Sequence, residues 1–104
     1  MSDELTSAQR KFLRSVGRTK QPEVAIGKAG INESVLAHIR AQLTQCELVK
    51  VRLPASDAAG RAATADEIAC GTGATLVDLV GRNAVLYMPN DQLPENERIR
   101  LPER

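Results

Sequence analysis

The sequence predicts a single α/β domain, a four-stranded mixed sheet with three helices that cover at least one of its faces, and three observations predict it. The chain has 104 residues, enough for one core, since a domain of this size buries roughly two thirds of the surface it exposes when unfolded. Its apolar positions switch between helical spacing and strict alternation, the patterns of amphipathic helices and half-buried strands. Glycine and proline breaks separate those segments, among them Gly81-Arg82-Asn83 between two β-type runs, a hairpin signature.

Thr6-Ser7-Ala8-Gln9 has the form of a capping box, and Ala8, Phe12 (or Leu13) and Val16 follow at helical spacing until Gly17, which sets helix α1 at residues 6–17. Arg10, Lys11, Arg14 and Arg18 lie on its other side as a basic outer face. Gln21-Pro22 breaks the pattern, and Glu23-Val24-Ala25-Ile26 reads as strand β1, ending at Gly27. After the tight loop Gly27-Lys28-Ala29-Gly30, Asn32 caps helix α2, whose stripe of Val35, Leu36, Ile39 and Leu43 runs to about Gln45.

Residues 47–53 alternate, with Val49, Val51 and Leu53 on one side and Leu48, Lys50 and Arg52 on the other, so strand β2 has one buried and one partly basic face before Pro54 ends it. Asp57 or Ser56 caps an alanine-rich helix, α3, that stops at Gly71-Thr72-Gly73 and whose small side chains suit close approach to a sheet. Residues 75–80 and 84–88 are strands β3 and β4. The order is α1-β1-α2-β2-α3-β3-β4, with β1 and β2 parallel across a right-handed crossover and an antiparallel hairpin added. Residues 1–88 form the domain. Residues 89–104, with three prolines, mixed charge and the apolar pair Ile99 and Leu101, read as a C-terminal tail whose end packs on the body.

The net charge of +1 conceals an asymmetry. Residues 10–52 carry nine bases (Arg10, Lys11, Arg14, Arg18, Lys20, Lys28, Arg40, Lys50, Arg52) against three acids, and residues 53–104 carry five bases against eight acids. An electropositive region of that kind suits an anionic partner such as a phosphate backbone. No run approaches the roughly 18 apolar residues of a membrane span, and Met1-Ser2-Asp3-Glu4 lacks the regions of a secretory signal. The expectation is a cytoplasmic protein, monomeric, without membrane association.

Catalytic patterns are absent. His38 stands alone and reads as an ordinary surface or boundary histidine, while Asp66 and Glu67 are adjacent and point apart on a helix. Cys46 and Cys70 fit neither a zinc spacing nor a disulfide framework and read as reduced, partly buried thiols. The sequence therefore predicts no enzyme, no metal and no cofactor. The loop Gly27-Lys28-Ala29-Gly30 is different: glycines let a ligand approach the backbone closely, amides near a helix start favour anions, and Lys28 adds a charge. A Gly-x-x-Gly loop clamps the nucleic-acid backbone in KH domains. Phe12 falls on the apolar stripe of α1; Tyr87 suits either the core or a stacking platform.

The run from Val24 to Leu36, then Glu47-Leu48-Val49-Lys50-Val51-Arg52, Thr72-Gly73-Ala74 and Gly81-Arg82-Asn83-Ala84-Val85-Leu86-Tyr87, resembles the CRM domain (chloroplast RNA splicing and ribosome maturation) in its stand-alone bacterial YhbY form. The resemblance spans about residues 6–88, and Ile99-Arg100-Leu101-Pro102 is similar to the family's ending. It implies a fold similar to the C-terminal domain of bacterial translation initiation factor three. It also implies RNA binding through Gly27, Lys28, Ala29, Gly30 and neighbouring basic residues, and association with precursors of the large ribosomal subunit. The expected RNA surface comprises that loop, Arg10, Lys11, Arg14, Arg18 and Lys20, with Lys50 and Arg52 from β2. One departure is Met88 after Tyr87, where the family commonly has a basic residue; it weakens the case for a phosphate contact there. The acidic stretch 90–97 reads as an insertion. The competing functional readings are a protein-interaction module that docks its basic face on an acidic partner of the ribosome or an assembly factor, and a small-molecule phosphate site at the loop.

Overall fold

Each helix begins where the sequence places a cap. In the computed structural model, which describes residues 5–27 and 30–102, Thr6 accepts from the Gln9 amide at 3.1 Å while the Gln9 side chain accepts from the Thr6 amide at 3.0 Å. Asn32 accepts from the Val35 amide at 2.9 Å, and Asp57, rather than Ser56, from the Gly60 amide at 2.8 Å. Caps of this kind contribute about 1 kcal/mol each. The helices are α1 Ser7–Thr19, α2 Glu33–Cys46 and α3 Ala58–Thr72. Gly73, with φ +80°, takes the left-handed position that ends α3.

The strands are β1 Val24–Ala25, β2 Leu48–Arg52, β3 Thr75–Val80 and β4 Asn83–Tyr87, in the sheet order β1-β2-β4-β3. β1 and β2 are parallel and the other two pairings antiparallel. Gly81, at φ +58°, makes the turn between β3 and β4. Helices α2 and α3 cover one face, where Ile39, Leu43 and Ile68 join Val49, Val51, Leu53 and Leu86 in the larger core. Helix α1 covers the other, where Leu13 joins Leu48, Val77, Val85 and Tyr87. No helix is long and apolar enough to cross a membrane among the described residues.

Several expectations change. Gly17 does not stop α1, which runs on to Thr19. Instead it is a contact surface: a Cβ there would lie 2.9 Å from Val85 Cγ1, so α1 reaches the sheet only because the side chain is missing. Ala65 and Ala69 of α3 pack in the core with strand residues as read, but at Gly71 a Cβ would lie 2.9 Å from Leu36 Cδ1, so that small residue serves the contact with α2. The second face of β2 is basic only at its end: Leu48 is fully buried under α1, Lys50 is half-buried and Arg52 is exposed. Cys70 is exposed rather than partly buried, Cys46 is half-buried, and both are free thiols.

Glu47 is not the first residue of β2. It closes α2 at φ +62°, a left-handed position that usually belongs to glycine, and is wholly buried. Its carboxylate accepts from the amides of Asn90 (2.6 Å) and Ile99 (2.7 Å) and from Arg98 Nε (3.1 Å). Burial pushes the Glu47 pKa up, but the hydrogen bonds from Asn90, Ile99 and Arg98, with the Arg98 charge, outweigh it and leave the pKa below the ordinary glutamate value. This clasp ties residues 90–99 to the body. Beyond it, Ile99 and Leu101 pack on the α1-side core and Gln9 donates to the Pro102 carbonyl at 3.1 Å.

Candidate nucleic-acid interface

The site builds on the last rung of the sheet. Ala25 is opposite Arg52, Arg52 opposite Asn83, and Asn83 opposite Val80, a row that crosses all four strands. From its β1 end the chain passes through Ile26, whose amide donates to the Arg52 carbonyl at 2.9 Å, into the glycine loop. The Gly30 amide donates to the Gly27 carbonyl at 3.0 Å, and Gly30 sits at φ +80°. Lys28 and Ala29 lie outside the described residues. A Cβ at Gly27 or Gly30 would meet nothing within 4 Å. The protein's own packing therefore does not require glycine at 27, and only the backbone conformation requires it at 30.

The fold separates the predicted cations into two groups. Arg10 donates to the Leu76 carbonyl at 3.0 Å, Lys20 to the Leu48 carbonyl at 2.6 Å, and Lys50 to the Lys20 carbonyl at 3.0 Å. Lys20 is also paired with Glu23. These three hold α1 and the following turn on the sheet. Lys11, Arg14, Arg18 and Arg52 remain exposed. The first three line one stripe of α1 and, with Ser15, a shallow depression. Arg40 takes no part, since α2 carries it on the opposite layer, bonded to the Gly71 carbonyl at 2.7 Å. Tyr87 is 5% exposed and belongs to the core, so it offers no platform for a base. His38 is exposed on α2, and among the described residues no cluster of three His, Cys, Asp or Glu side chains is placed for a metal ion.

Sequence reasoning missed two polar residues here. Helix α1 covers the Leu48 and Tyr87 end of its face and leaves a hollow of about 120 Å³ beside the final rung, between Arg18 and the side chains of Asp78, Val80 and Asn83. A shift of register between Leu76 and Asp78 brings Asp78 opposite Val85, so that Val77 and Asp78 both serve the α1 side. Asp78 Oδ2 and Asn83 Oδ1 are buried without a hydrogen-bond partner, and the Arg18 Nε is 3.8 Å from Asp78 Oδ2. Arg18 borders both this hollow and the depression on α1. A bulge inside an apolar strand leaves no mark in the periodicity that finds strands.

Comparison with known proteins follows the same line. Residues 5–88 match the CRS1/YhbY (CRM) domain. A probable RNA-binding protein of Pseudomonas aeruginosa is 32% identical over 92 residues, covering 88% of this chain and 88% of its own. An RNA-binding protein of Haemophilus influenzae is 32% identical over 100 residues, covering 96% of this chain and 97% of its own. The solution structure of a Staphylococcus aureus hypothetical protein, described as a candidate RNA-binding protein, superposes with a TM-score of 0.78 at 32% identity over 95% of this chain and all of that one. With its three helices, mixed four-stranded sheet and matching sequence over most of its length, the chain belongs to the CRS1/YhbY (CRM) domain family.

Proposed function

We propose that this protein is a non-catalytic RNA-binding protein that acts, as a cytoplasmic monomer, on ribosomal RNA in precursors of the large ribosomal subunit. One observation carries the RNA reading: the exposed cations Arg18 and Arg52 gather at the end of the sheet from which the glycine loop leaves, and Lys11 and Arg14 extend that surface along α1. Names given to the family relatives agree with it. The large-subunit assignment rests on the family resemblance alone. Arginine and lysine side chains position phosphates, and the open backbone at Gly27 admits a sugar-phosphate strand that a side chain would hold away.

The test is fluorescence anisotropy with large-subunit ribosomal RNA fragments at low and near-physiological salt, with duplex DNA as competitor. Gly27→Ala is the sharpest variant, because nothing in the free protein opposes the added methyl; the expected result is weaker RNA binding at unchanged thermal stability. The stronger double change Gly27→Asp, Lys28→Glu should abolish tight binding. Reversing Lys11, Arg14 and Arg18 to Glu should flatten the salt dependence, since each lost phosphate contact to a single strand removes about 0.7 from the slope of log K against log salt. Binding no tighter than to DNA, and indifferent to the loop, would overturn the proposal and direct attention to an acidic protein partner.

A further inference from the structure

We infer that the hollow beside α1 is a nucleobase pocket that selects an unpaired guanine. The inference rests on the RNA-binding reading and adds to it a source of base preference. The floor comes from two rungs on the same face of the sheet, Lys50–Val85–Asp78 and the Asn83–Val80 part of the next. Adjacent strands are about 4.8 Å apart, so the first rung spans about 10 Å, the width of a base with its sugar.

Two acceptor oxygens beside the hollow are left unpaired. Asp78 Oδ1 accepts from the Leu79 amide at 3.0 Å, but Asp78 Oδ2 and Asn83 Oδ1 are buried and unsatisfied. Lys50, in the floor, directs one ammonium hydrogen to the Lys20 carbonyl. Arg18, at 3.8 Å, is too far from Asp78 for a hydrogen bond, and its side chain is 66% exposed. A phosphate placed here would face a carboxylate. A purely apolar group would leave both oxygens unpaired, at about 1–3 kcal/mol each. The walls are mixed: Val80 is an exposed large hydrophobic residue at 48%, and Arg18 offers a planar cation at the rim. A flat ring with donors along one edge meets all of these demands, resting on Val80, covered by the guanidinium and directing its N–H groups at the oxygens.

Among the four bases only guanine has two adjacent donor nitrogens, N1–H and N2–H2, on its Watson–Crick edge. Those two match one carboxylate in a bidentate pair, leave a second N2 hydrogen for Asn83 Oδ1, and bring the O6 acceptor beside the cationic rim. Adenine and cytosine place an acceptor ring nitrogen next to their single amino group, against the Asp78 carboxylate, and uracil offers one N–H between two carbonyls. Pairing would occupy the same guanine edge, so the pocket takes a base from a loop, bulge or single strand. Arg18 borders the α1 depression as well, which places the nucleotide's phosphates toward Arg14 and Lys11.

The experiment compares fluorescein-labelled uridine decamers that carry one central guanosine, inosine, adenosine, cytidine or uridine, titrated with the full chain at low salt. Guanosine should bind at least about tenfold tighter than adenosine, cytidine or uridine, with inosine, which lacks N2, in between. Asp78→Asn should bring the guanosine decamer down to the level of the uridine one. A titration of the unaltered protein with guanosine monophosphate should shift the Asn83 side-chain amide resonances, while uridine monophosphate should not. Decamers that bind with no preference for guanosine, or a preference that survives Asp78→Asn, would overturn the pocket and leave the RNA reading standing. Failure of every decamer and of the ribosomal fragments to bind would overturn both.

Discussion

Two carboxylates, Glu47 wholly buried where β2 begins and Asp78 half-buried on the middle rung of the sheet, are treated in opposite ways. At the α2–β2 junction, Glu47 accepts two backbone amides and an arginine. At the β3 bulge, Asp78 keeps one oxygen without a hydrogen bond and faces a loose ion pair. Glu47 occupies a backbone position where glycine would relieve strain of roughly 1–2 kcal/mol, so its retention there is worth more to the fold than the strain costs. Asp78 gives the free protein little, because burying a carboxylate with an unpaired oxygen opposes folding. The difference teaches which acid belongs to the scaffold and which to a ligand.

Substitutions can break that contrast, starting with the largest effect. Glu47→Ala strands the amides of Asn90 and Ile99 and should cost about 2–4 kcal/mol in chemical denaturation. Glu47→Gly should cost about 1 kcal/mol less, because it releases the left-handed strain. Gly17→Ala forces a methyl against Val85 and should cost about 1–3 kcal/mol. Adding Val85→Ala should recover part of that loss, and an additive double variant would show that α1 does not depend on this close approach. Arg98→Ala should cost about 0.5–1 kcal/mol, since the arginine is one-third exposed and both amide bonds to Glu47 survive. Asp78→Asn should change stability by no more than about 0.5 kcal/mol; a loss on the scale of Glu47→Ala would erase the distinction between the two acids.

Acid sharpens the same comparison. The Glu47 pKa is lower in the folded protein than in the unfolded chain. Its contribution is therefore complete above the ordinary glutamate range, near pH 4.3, and is lost as pH falls through the depressed folded value. Methyl resonances of Ile99 and Leu101 followed from pH 5 downward should report release of the tail in that window. In Glu47→Gln the acid step at this position should be missing.

Local chemistry was legible in the sequence, and long-range chemistry was not. Thr6, Asn32 and Asp57 cap as read, and Gly73 ends α3, because those interactions lie within three or four residues of their partners. The Gly27 and Gly30 loop stands between β1 and α2 as its spacing required. The basic region was visible as a count of charges, but a count does not say where an ammonium goes. Arg10, Lys20 and Lys50 end on carbonyls of strands or turns 28 to 66 residues away and so act as struts. Glu47 reads as strand because its neighbours alternate, and nothing local announces that residues 90–99 will return to it. Asp78 reads as one position of a β-type run and Asn83 as part of the hairpin turn, whereas Asn83 opens β4 and only the bulge and the cover of α1 bring the two together.

The Glu47 clasp also bears on time. Its bonds join positions 43 to 52 residues apart in the chain, and they require both the finished end of α2 and a tail that has already turned back. The cost of closing loops that long predicts that these contacts form after the helices and the β3–β4 hairpin, on the native side of the folding barrier. Loss of the carboxylate should therefore hasten unfolding and leave the refolding rate almost unaltered. A single acidic side chain then sets the lifetime of the folded protein more than the speed with which it is made.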